Sequence, residues 1–167
     1  MSAAWTFALL ILVPLAGAAF AFVLPRHGRW LTLGVASGVG IAVVEMTREV
    51  LARGVQVHRV GGWGPPLGID LRADGLSVLM LLITGVVGLT VALYAQGYYR
   101  VPPAARPLAS DPECDAGRRD GTFRGASAHR ERYFWPLFLF LWAAQNALFV
   151  SADIFNLYVT LELLGFA

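Results

Sequence analysis

Four apolar blocks, each long enough to cross a bilayer, limit what this chain can fold into more than any other feature. A spanning helix needs about 20 mostly apolar residues, each rising 1.5 Å. The candidates cover about 3–24, 30–46, 76–98 and 133–150, and the second continues as a polar extension to Arg53. Pro25, Arg26 and Arg29 stop the first, while Arg130 and Arg132 precede the fourth. A fifth segment begins near Asp153 and has only 14 residues after it, too few to cross. A helix left in mid-bilayer strands carbonyls in hydrocarbon, so the expectation is an all-α membrane protein of about five transmembrane helices, the fifth truncated, belonging to a longer polypeptide. The first block has no positive n-region and exceeds a signal peptide's apolar core, so it reads as a spanning helix.

Composition agrees and removes other classes. Hydrophobic residues make up 57% of the chain and charged ones 14%, against roughly 25% charged in soluble domains. A soluble enzyme is thereby excluded. Net charge is only +2, and all 13 basic residues are Arg scattered through connectors; nucleic-acid binding would need a concentrated basic face. Cys114 stands alone, so there is no disulfide framework and no thiolate metal site. His27, His58 and His129 lie too far apart to propose a metal site. No phosphate-cradling Gly loop, heme-ligating His pair or Ser-His-Asp arrangement appears, so no cofactor and no redox centre is expected in this chain.

The connectors set the expected topology. Arg26 and Arg29 occupy the first; Arg48, Arg53, Arg59 and Arg72 the second; seven more, from Arg100 to Arg132, the third. Connectors one and three share a side and carry nine Arg against four, which places that side in the cytoplasm of a cell inner (plasma) membrane and the N-terminus outside. Val55, Val57 and Val60 alternate roughly with Gln56 and His58, a Gly61-Gly62-Trp63-Gly64-Pro65-Pro66 turn follows, and Ile69, Leu71 and Ala73 alternate with Asp70 and Arg72. That pattern predicts a short β-hairpin between helices two and three, with Trp63 at the interface and Asp74 capping the third helix. Three units result: residues 1–99, three helices with an external hairpin; 100–132, a flexible cytoplasmic loop rich in Pro, Gly, Asp and Arg; and 133–167, the fourth helix and the start of the fifth.

Glu162 is the principal candidate for chemistry. It lies nine residues beyond Asp153, roughly 14 Å along a helix and near mid-bilayer, where a carboxylate costs about 2.5–3.5 kcal/mol unless partnered or hydrated. Such residues mark proton relays and ion pathways; the plainer reading is a neutral glutamic acid bonded to a neighbouring helix. Tyr158, one turn earlier, can hold its carboxyl, or it can be a packing tyrosine. Gln145 and Asn146, inside the fourth helix, are candidates for a polar path, though cross-helix bonding explains them as well. Asp153 fits a helix N-cap, and Asn156 and Thr160 fit ordinary interhelical bonds. Glu45 is explained by pairing with Arg48, and Gly34-x-x-x-Gly38 by close helix approach.

Two stretches, Gly61 through Ser77 and Ser151 through Gly165 with its Asp153-Ile154-Phe155-Asn156-Leu157-Tyr158 run, resemble the antiporter-like subunits of respiratory complex I, membrane-bound hydrogenases and Mrp-type multisubunit Na⁺/H⁺ antiporters. The Asp153–Tyr158 run is most similar to the D-type Mrp subunit and its complex I counterpart. The resemblance implies a proton- or cation-translocating subunit of an Mrp-type or NADH–quinone oxidoreductase-like complex, with this chain as its N-terminal part. It implies partnership with other membrane subunits, the lipid bilayer and H⁺ or Na⁺, and it leaves electron transfer to other subunits. In the family the fifth-helix glutamate, matched here by Glu162, pairs with a lysine on a later helix, and further lysines extend the path. This chain has no Lys and holds only the opening of the first of two inverted repeats; its third connector is also longer than the family's. The alternative is a non-catalytic membrane scaffold, a truncated paralogue that holds neighbouring subunits together.

Overall fold

The computed structural model describes residues 3–62, 68–100 and 122–166. Five helices and one hairpin follow in order: α1 (Ala3–Val23), a 3₁₀ turn (Pro25–His27), α2 (Gly28–Arg53), β1 (Gln56–Arg59), β2 (Asp70–Ala73), α3 (Gly75–Arg100), α4 (Thr122–Val150) and α5 (Ile154–Phe166). Four of the helices are long and apolar enough to span a membrane, with spans at Ala4–Val23, Gly28–Arg53, Gly75–Tyr99 and Arg132–Val150. The molecule is a multi-pass membrane protein.

Local chemistry fixes the element ends. Pro25 suits the first position of the 3₁₀ turn, where its missing N–H costs nothing, and the His27 amide donates to Leu24 O at 3.0 Å. Gly54 ends α2 at φ 79°, a conformation that favours glycine, and its N–H returns to Val50 O at 2.9 Å. Gly61 and Gly62 also have positive φ (73° and 76°) and turn the chain out of β1. The expected hairpin is present, and its antiparallel register pairs Gln56 with Ala73 and Arg59 with Asp70. Asp74 caps α3: its Oδ1 accepts the Ser77 amide at 2.9 Å and the Ser77 hydroxyl at 3.1 Å.

Helix α4 is the central element and packs on α1, α2, α3 and α5. Half of its span is buried, against 22% of the α3 span. Small residues line the contacts, among them Ala18 and Ala21 of α1, Ala36 and Ala42 of α2, and Ala143, Ala144 and Ala147 of α4. Large apolar residues point outward instead, including Trp5, Phe20, Ile41, Leu76, Val86 and Leu93. Helices in lipid associate through close packing and not through the hydrophobic effect, which accounts for this distribution. At the end away from the hairpin, rings of Tyr99, Phe134, Trp135 and Phe138 meet in stacked, tilted and edge-on pairs at 5.1–6.1 Å, forming an aromatic cluster packed on the core.

Two features differ from the sequence expectation, and part of it falls outside the described residues. Helix α4 begins at Thr122, so residues 122–132, including His129, are helical where a loop was expected. The rest of that connector, with Cys114, and Trp63 of the hairpin turn lie outside the described residues. The spacing Gly34-x-x-x-Gly38 does not make the close approaches: a Cβ on Gly34 would meet nothing within 4 Å, and one on Gly38 would make ordinary contact with Val13 at 3.5 Å. The tight sites are Gly17, where a Cβ would fall 2.5 Å from Val35 Cγ2, and Gly88, where it would fall 2.8 Å from the Trp142 indole. Which glycine faces a neighbour depends on how each helix is rotated, and spacing within one helix does not encode that.

Candidate functional site

The carrier of Glu162 is held from its first residue. A single antiparallel β-bridge joins Leu71 to Ser151, and the Ala152 amide donates to Asp70 O at 3.0 Å. Strand β2 thus extends across the α4–α5 connection. Asp153 then caps α5, its Oδ1 accepting the Asn156 amide at 2.7 Å while its carbonyl accepts the Leu157 amide at 3.0 Å. The N-cap expected from sequence is present.

Thr160 orients the helix. It is 3% exposed, the one buried residue of α5 among those described, and its hydroxyl bonds back to Asn156 O and Leu157 O at 3.0 and 2.9 Å. Glu162 is two residues beyond Thr160 and Tyr158 two before it, so at 100° per residue both turn away from α4. They meet on that outer face: the Tyr158 hydroxyl donates to Glu162 Oε1 at 2.6 Å. This is the i,i+4 contact expected from the sequence, and its length is that of a hydroxyl–carboxylate bond. Around the pair the face is apolar and exposed, with Phe155, Leu161 and Phe166.

Gln145 and Asn146 are not brought to Glu162 in this way. Gln145 is half-buried on α4. Asn146 is fully buried on the α1 side, where its Nδ2 donates to Leu10 O at 2.9 Å across 136 positions of sequence. The physical reason is Pro14. In a regular helix the amide of residue 14 would bond to Leu10 O, but proline has no N–H, and an unpaired carbonyl in hydrocarbon costs several kcal/mol. Asn146 supplies the missing donor. The sequence pattern did not pair the two residues, although a proline inside a spanning segment is itself the signal that a donor must come from another helix. Glu45 behaves as expected, accepting from Arg48 Nη1 at 3.4 Å in the open.

Fold and site together define a class: a multi-pass helical membrane protein whose acidic residue is carried outward on a helix beyond a four-span bundle. The chain is similar in sequence to subunits of Na(+)/H(+) antiporters and of NADH-quinone oxidoreductases. Residues 64–101 match the family of the NADH-ubiquinone oxidoreductase (complex I) chain 5 N-terminus. The D-type subunit of the Na(+)/H(+) antiporter of Bacillus subtilis is 29% identical over 92% of this chain and 27% of its own length. The N-type subunit of the NADH-quinone oxidoreductase of Desulforudis audaxviator is 27% identical over 95% and 28%. Among solved structures, the Mrp complex from a Dietzia species superposes with a TM-score of 0.64 at 25% identity, over 98% of this chain and 26% of that one. The archaeal membrane-bound sulfane sulfur reductase shares the fold, with a TM-score of 0.69 at 24% identity over 96% and 28%. Both neighbours are multisubunit membrane complexes. This chain spans about a quarter of the length of the relatives it matches.

Proposed function

We propose that this chain supplies the opening helices of a proton- or cation-translocating antiporter-like subunit, in an Mrp-type or NADH–quinone oxidoreductase-like complex, and that Glu162 is its proton-transfer residue. The observation that carries the reading is the Tyr158–Glu162 pair on the bare face of α5. A carboxyl at roughly 14 Å depth cannot be left to lipid, so that face takes a polar or cationic partner from a further helix or subunit. A carboxyl facing a basic group suits translocation, because each partner stabilises the other's charged form and separating them releases or binds a proton. Tyr158 holds the carboxyl in place. The nine-to-four Arg distribution puts the α1–α2 turn and the 100–132 segment on the cytoplasmic side of the inner membrane, with the hairpin and the N-terminus outside.

The test is Glu162→Gln in the full-length protein, read as ion translocation in vesicles together with assembly of the complex. Translocation is abolished while assembly survives. The second reading, a non-catalytic scaffold that holds neighbouring subunits by helix packing, rests on the exposed apolar side chains of Ile154, Phe155 and Phe166 on α5. Wild-type translocation by the Gln variant would overturn the first reading and leave the second.

A further inference from the structure

The outer surface carries a furrow between α1 and α4 of about 340 Å³, at the small end of the range for ligand sites. One wall is Ala18, Ala19 and Phe22, the other Pro136, Leu137 and Phe140, so its lining is apolar. The two helices adjoin beneath it, since a Cβ on Gly17 would stand 3.4 Å from Leu139 Cδ1. A single hydrocarbon chain is narrow enough to lie along such a slot. Its lining reaches Phe22, beside the end of the α1 span at Val23, and Pro136, one turn inside the α4 span that begins at Arg132. Polar side chains stand beyond that end. Phe22 meets the Tyr133 ring at 6.4 Å, and Arg132 stands one turn from Pro136 on the same face of α4, exposed and without an ion pair among the described side chains. An apolar slot running to a cation at headgroup depth is complementary to one kind of molecule, because basic pockets between membrane helices select anionic headgroups.

We propose that this furrow binds an anionic glycerophospholipid, one acyl chain lying along Ala18, Ala19 and Phe22 and the phosphate resting on the Arg132 guanidinium. The site is separate from Glu162 and faces the bilayer.

Native mass spectrometry of the full-length protein, released from mild detergent after exchange into defined lipid, tests it. The wild-type protein retains phosphatidylglycerol in preference to phosphatidylcholine. Ala19→Trp fills the slot and loses the bound lipid, while Leu12→Trp, at an exposed position outside it, keeps the lipid. Arg132→Gln lowers the preference for phosphatidylglycerol about fivefold, the worth of one basic residue at a membrane surface. Unchanged lipid binding in both Ala19→Trp and Arg132→Gln overturns the proposal. If Ala19→Trp fails to fold, a photo-crosslinking side chain at position 19 decides: a lipid adduct supports the site, and a crosslink to protein makes the furrow a protein interface and overturns it.

Discussion

A proline in mid-membrane obliges some other residue to donate a hydrogen bond, and here Asn146 does so from 136 positions away. The energetics are specific to the pair. Cross-helix polar bonds in membranes average about 0.6 kcal/mol and reach about 1.7, because the dissociated helices also find partners. Asn146→Leu should therefore destabilise by about 0.6–1.7 kcal/mol in the presence of Pro14. Where Pro14→Ala restores the amide, the helix satisfies Leu10 O by itself and Asn146→Leu should cost clearly less. A double-mutant cycle on detergent-induced unfolding measures the coupling. Strict additivity would mean that Asn146 is not the replacement donor.

At the scale of elements, side-chain caps and the hairpin decide where helices start. Asp74 is the case with a pH signature. Its carboxyl is held below the usual carboxylate range, chiefly by the Ser77 amide donating to Oδ1; burial opposes this, and the Ser77 hydroxyl, the Leu76 amide and Arg72 add smaller pulls in the same direction. Because the folded value is depressed, the cap stabilises the protein above the unfolded value of about 3.9 and is lost as pH falls through the folded value. The side chain is 38% exposed, so solvent screens the effect and it is small. Asp74→Asn keeps an acceptor without the titration. Wild type should lose its advantage over that variant as the pH falls below the ordinary carboxylate value of about 3.9 and through the lower folded value, read in paired melting curves or in amide exchange at Ser77. A constant difference across that window would rule out the ionised cap. Asp153 holds the start of α5 in the same way, and the β2 bridge to Ser151 ties it to the hairpin.

Over the whole molecule, the helices alternate so that the N-terminus of α1, the hairpin and the start of α5 lie at one end, with the α1–α2 turn and the aromatic cluster at the other. The orientation proposed from the Arg distribution puts the end with the aromatic cluster in the cytoplasm. Cys114 lies in the same connector as seven of the Arg residues and serves as a probe. In right-side-out vesicles a membrane-impermeant thiol reagent should leave Cys114 unmodified until the membrane is permeabilised, read at the peptide level by mass spectrometry. Labelling in sealed vesicles would invert the topology, so that the helix carrying Glu162 would start from the cytoplasmic side.

The sequence by itself determined the elements: block lengths set the spans, Gly61, Gly62 and the alternating valines set the hairpin, and Asp74 and Asp153 announced helix starts. The Tyr158–Glu162 contact was legible too, because i and i+4 neighbour each other on any helix. Only the tertiary structure decided which faces meet. It showed Asn146 turned to Leu10 and Glu162 turned away from α4, and it made Gly17 and Gly88 the close-packed glycines instead of Gly34. It also carried the fourth helix back to Thr122. Apolar residues surround these helices on nearly every side, so sequence periodicity marks no buried stripe, and helix rotation is fixed by the fit of a few small and polar residues across neighbours.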